Sequence, residues 1–138
     1  MLVHGTPGIH DGLSGWFDDW VAAGFTVITP SRAGYGRSKA LTNYEEQADA
    51  IAELLDSLGI ETCAIHGTSG GGPTVLQFAL RHPNKCRALI TEAAVTGNYN
   101  HANPEELTGA SNKFFMHSGL MTRMSHATAM KDPANLMK

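Results

Sequence analysis

The apolar residues of this chain fall into short runs that stop at glycine or proline. Leu2-Val3 runs into His4-Gly5, Phe25-Thr26-Val27-Ile28-Thr29 into Pro30, Cys63 to His66 into Gly67, and Arg87 to Val95 into Thr96-Gly97. Runs of this length and β-branched content predict buried strands. Between them the apolar positions change to helical spacing. Ser14 is placed to cap a short helix carrying Trp16, Phe17, Trp20 and Val21, closed by Gly24. Thr42 and Glu45 spell a capping box. The helix behind it sets Ala48, Ile51, Ala52, Leu55 and Leu58 on one face, leaves Glu46, Asp49, Glu53 and Asp56 largely elsewhere, and ends at Gly59. A third helix opens at Pro73, turns Val75, Leu76, Phe78, Ala79 and Leu80 to the core, and stops at Pro83. Strand, helix, strand, helix, strand, helix, strand predicts an α/β domain of about four parallel strands flanked by helices.

After Gly97 the pattern changes. Residues 98–104 form a polar stretch, and no further strand is legible beyond it. Phe114, Phe115, Met121 and Met124 are spaced for an apolar helical stripe, and five of the six methionines lie from Met116 onward. Adaptable side chains of that kind suit a lid over an acyl-sized pocket as well as ordinary packing. The expected organisation is a core at residues 1–97 and a helical cap or lid at 98–138.

Composition narrows the partners. A chain of 138 residues suffices for one domain with a real core. A formal charge of −3 gives no basic footprint for nucleic acid, and no apolar run reaches the length of a membrane span. Met1-Leu2-Val3-His4 has no basic start of a signal peptide, and Cys63 and Cys86 form no C-x-x-C, so two reduced thiols in a cytoplasmic protein are expected. The seven histidines show no metal-ligand spacing, so neither metal nor cofactor is expected.

The candidate chemistry gathers at the carboxyl ends of the predicted strands, where sites in parallel sheets lie. Gly67, Ser69 and Gly71 satisfy G-x-S-x-G, with Ser69 at the apex of a strand-turn-helix. The same stretch nearly spells a phosphate-binding loop from Gly67 to Thr74, but Pro73 stands where that loop needs lysine and also removes a backbone donor. A glycine turn with no chemistry is the plain alternative. His4-Gly5-Thr6-Pro7-Gly8 reads either as a Pro-Gly turn or as an oxyanion loop, with the Thr6 N–H aimed at a developing negative charge. In Pro30 to Ser38, Arg32 and Arg37 are placed to bind an anionic substrate or, more simply, to support neighbouring loops. Glu92 ends the strand after the serine turn.

His4 to Gly8, Ser31 to Ser38 and Gly67 to Gly71, in this order and at these separations, resemble the α/β-hydrolase superfamily over residues 1 to about 97. The resemblance implies a partial α/β-hydrolase fold, with Ser69 as nucleophile, the N–H groups of Thr6 and Gly70 as the oxyanion hole beside Gly5, and residues from Asn98 onward in the position of the helical cap. It implies a serine hydrolase acting on an ester, amide or thioester, and serine at the elbow argues against the aspartate-using members. The family also carries strands before the His-Gly loop and two more after the cap, bearing the acid and histidine of the triad. None of His82, His101, His117 or His126 matches the position of that histidine, and His4 and His66 belong to the oxyanion loop and the elbow strand. Glu92 stands where some members place the triad acid; the simpler reading is a polar rim residue. The expectation is therefore a fragment of a longer hydrolase, inactive or weakly active alone, with exposed sheet edges open to self-association. A non-catalytic remnant that binds a ligand or partner is the alternative.

Overall fold

The computed structural model of the chain describes residues 1–12 and 15–96. In these residues the elements run β1 (Leu2–Val3), α1 (Asp18–Ala22), α2 (Tyr44–Ser57), β2 (Cys63–Thr68), a 3-10 turn (Ser69–Gly71), α3 (Gly72–Arg81) and β3 (Cys86–Glu92). The sheet has the order β1-β2-β3 and is parallel throughout, with Val3 opposite Gly67 and Thr68 opposite Glu92. All three strands therefore finish on the same rim.

The expected α/β class holds, with three strands among the described residues instead of about four. Phe25 to Thr29 forms no ladder: Ile28 O accepts from Leu2 N–H at 2.8 Å, and Pro30 has no N–H to extend the pairing. Helix α1 begins at Asp18 with Phe17 as its cap residue, later than expected, and Ser14 lies outside the described residues. In α2 the box is shifted by one. Asn43 caps it, its Oδ1 accepting from Glu46 N–H at 2.7 Å, while the Glu46 carboxylate receives the Thr42 N–H and hydroxyl at 3.0 and 2.9 Å. Two capping-competent residues stand side by side there, and Asn43 has the extended φ/ψ a cap requires.

The core joins Val3 of β1 and Ile65 of β2 to Ile51 and Leu55 of α2 and Val75 and Phe78 of α3. Fully burying side chains of this size stabilises by about 1.5–3 kcal/mol each. Leu58 and Leu80 do not join it. Leu80 is 75% exposed, because two residues beyond Phe78 a helix has rotated by about 200°. Strand β3 is largely exposed instead of buried, since among the described residues β2 flanks it on one side only. Cys63 and Cys86 stand opposite each other in β2 and β3 as free thiols.

Candidate active site

The turn after β2 is built by close backbone approach. Ser69 has φ of 50°, in the left-handed region that side chains other than glycine rarely occupy. Its backbone O accepts from Val95 N–H at 3.2 Å. A Cβ on Gly71 would press into Val3 O and lie 2.7 Å from His4 O, so β1 and the turn can meet only over a bare Cα. A Cβ on Gly67 would run into Val75 Cγ2 and approach Gly71 O to 3.0 Å. The two glycines flanking the serine position thus serve packing of strand on helix.

The His4 to Gly8 loop closes on the same point. A Cβ on Gly5 would stand 3.0 Å from Ser69 Cβ and 3.6 Å from Ser69 Oγ, and one on Gly70 would stand 2.8 Å from Thr6 Oγ1. Gly5, Thr6, Ser69 and Gly70, separated by more than sixty residues in sequence, are therefore brought into contact. The Thr6–Pro7 peptide is cis. His4 is 3% exposed. Its Nε2 accepts from Arg32 N–H at 2.9 Å, which leaves Nδ1 as the donor to Gly5 O at 2.8 Å. Burial is the main cause that holds the His4 pKa below its ordinary value; Arg32 and His10 add to this and the bond to Gly5 opposes it.

Arg32 binds these loops together. Nη1 donates to Gly70 O at 2.5 Å, and Nη2 donates to Thr6 Oγ1 at 2.6 Å and more weakly to Gly5 O at 3.4 Å. Its guanidinium lies over the Tyr35 ring at 4.7 Å, and Tyr35 Oη shares a hydrogen bond of 2.8 Å with Thr6 Oγ1. Burial lowers the Arg32 pKa, with Tyr35 and Tyr44 opposing it. The sequence offered this residue an anionic substrate or, more simply, support of neighbouring loops, without naming its partners. Its position in a glycine-bearing loop on the rim was the one available signal.

Glu92 ends β3 opposite Thr68, the residue before Ser69. Its Oε2 lies 3.1 Å from His66 Nε2, without hydrogen-bond geometry, and its side chain is 57% exposed. The four described histidines are each engaged elsewhere: His4 as above, His10 with Ser31, His66 beside Glu92 and Phe17, and His82 with Asp49. His101, His117 and His126, with the whole expected cap, lie outside the described residues. Among the described residues no group of three or more His, Cys, Asp or Glu is placed to hold a metal ion, and no helix is long and apolar enough to cross a membrane.

Residues 1–121 match the family model for the alpha/beta hydrolase fold. The chain is 35% identical over 104 residues to the uncharacterized hydrolase YcgS of Bacillus subtilis (strain 168), covering 67% of this chain and 36% of that protein. It is also 35% identical over 97 residues to a 2-hydroxy-6-oxo-6-phenylhexa-2,4-dienoate hydrolase of Burkholderia cepacia, covering 65% of this chain and 34% of that one. Among solved structures, an alpha/beta hydrolase fold protein from Nakamurella multipartita superposes with a TM-score of 0.74 at 37% identity, over 94% of this chain and 44% of the other. The chain spans about a third of the length of the curated relatives it matches.

Proposed function

The chain belongs to the alpha/beta hydrolase fold family, and from that premise we propose that it carries the nucleophile and oxyanion half of a serine hydrolase acting on a carboxylic ester, amide or thioester. The observation that carries the reading is Ser69 in the left-handed region with Gly5 packed against it. Strain of this kind costs about 1–3 kcal/mol and persists where surrounding structure enforces it. In this reading Ser69 Oγ attacks the substrate carbonyl, and the N–H groups of Thr6 and Gly70 receive the oxyanion. A base takes the serine proton, and water then releases the acyl group from the Ser69 ester. No described histidine hydrogen-bonds to Ser69, so the base belongs to residues outside those described. Glu92, held beside His66, is a rim residue in this reading and not the triad acid.

The name of the Burkholderia cepacia relative favours a second substrate for the same site, a hydroxy-oxo-dienoate. A fluorophosphonate probe tests the nucleophile itself, and p-nitrophenyl acetate and the phenylhexadienoate then compare the two substrates. Without a base, the oxyanion hole and binding alone leave about 10³–10⁴ over water, so slow labelling and slow turnover are expected. Labelling disappears in Ser69→Ala, and any turnover above that residual disappears with it. A folded wild type that remains unlabelled at Ser69 favours a binding protein over an enzyme.

A further inference from the structure

We propose that Arg32 is the positioning residue of the oxyanion hole, an inference that rests on Ser69 as nucleophile. One peptide unit sets the direction of the Thr6 donor. The Gly5–Thr6 bond is trans and planar, so its carbonyl and the Thr6 N–H point in opposite directions. That carbonyl is held from behind by His4 Nδ1–H at 2.8 Å and Arg32 Nη2 at 3.4 Å. Fixing it aims the N–H. Polarising the carbonyl also strengthens the donor at the other end of the same unit.

The second donor is fixed by the same group. Arg32 Nη1 holds Gly70 O at 2.5 Å, on the residue whose N–H is the other half of the hole, while Nη2 holds Thr6 Oγ1 at 2.6 Å. One rigid planar fork thus spans the loop after β1 and the turn after β2. Tyr35 fixes the plane of the fork, with its ring below the guanidinium and its hydroxyl on Thr6 Oγ1. Arg32 Nε is buried without a partner, and the two Nη atoms reach Gly70 O, Gly5 O and Thr6 Oγ1. These three acceptors lie on the two donor-bearing segments. Lysine cannot replace it, because a point charge on a flexible stem does not bridge three acceptors in one plane.

The test uses the 138-residue chain as wild type, Arg32→Met and Arg32→Lys, followed by amide NMR and by fluorophosphonate labelling. In Arg32→Met the Thr6 and Gly70 amide resonances move, and their hydrogen exchange rises by about tenfold or more while amides of α2 and α3 keep their rates. Arg32→Lys recovers less than half of either change. Labelling of Ser69 slows by about tenfold or more in Arg32→Met, short of the 10²–10³ lost with a whole donor. The proposal is overturned if the Thr6 and Gly70 amides do not respond, if lysine restores them fully, or if exchange rises equally across α2 and α3. An unlabelled wild type counts against the nucleophile reading alone, because the amide response needs no turnover.

Discussion

Replacing Gly71 with alanine separates close approach from backbone freedom as the reason for a glycine. Gly71 has φ of −80° and ψ of −18°, a conformation any residue adopts, so alanine brings no backbone penalty there. Its Cβ, however, would overlap Val3 O and stand 2.7 Å from His4 O and 3.0 Å from Val3 C. All three atoms are main chain, and no rotamer change moves them. Overpacking costs typically 1–3 kcal/mol, and a clash with backbone belongs at the upper end, about 3 kcal/mol. In a domain of this size each kcal/mol lowers Tm by roughly 4–8 °C, which gives a fall of roughly 12–24 °C. Gly24→Ala is the matched control: φ is +90° with nothing within 4 Å of its Cβ, so only a backbone cost of about 1–2 kcal/mol applies. Thermal melts followed by circular dichroism measure both. A Gly71→Ala melt within about 2 °C of wild type would refute the steric argument, as would a Gly24→Ala variant that loses as much.

Two further substitutions probe the site. Ser69→Gly relieves the positive φ and is expected to stabilise the fold by about 1 kcal/mol, whereas Ser69→Ala keeps the strain and melts with wild type; urea titrations of the pair decide it. For His4 the sign follows from its lowered folded pKa, with an ordinary value of 6.5. As pH falls below 6.5 the unfolded chain takes up the proton first, so stability is complete above that pH and declines down through the folded pKa. His4→Gln removes this slope between neutral and mildly acidic pH, and a slope unchanged in the variant would show that another group carries it.

The parts of the molecule legible in sequence were those written in local spacing. Gly67, Ser69 and Gly71 announce the elbow because each residue type is needed where it stands, and Ala48, Ile51, Ala52 and Leu55 announce a helix face by period. Choices between neighbours were less legible: Asn43 and Thr42 can both cap, and only the backbone dihedrals select Asn43. Burial of Leu80 and of β3 was misread because apolar character does not say which side of an element is covered. The strand expected at Phe25 to Thr29 had the right composition, but it forms no ladder and meets β1 through the Leu2 N–H to Ile28 O bond. The Arg32 bridge was hidden for a different reason. Two of its three acceptors are backbone carbonyls, which no residue type encodes, and they lie 27 and 38 residues away.

The pairing of β1 with β2 sets when the rim can form. The Met1 amino group donates to Ala64 O at 2.7 Å, a separation of 63 residues, and Val3 faces Gly67. β1 therefore has no ladder partner until β2 has been made. Contacts of such range are slow to close, because chain entropy is lost before they form. Thr6 and Ser69 cannot meet earlier than this pairing. The His4 to Gly8 loop and the turn at Ser69 consequently come together only after α2 has been made, and this rim is among the later parts of the fold to take shape.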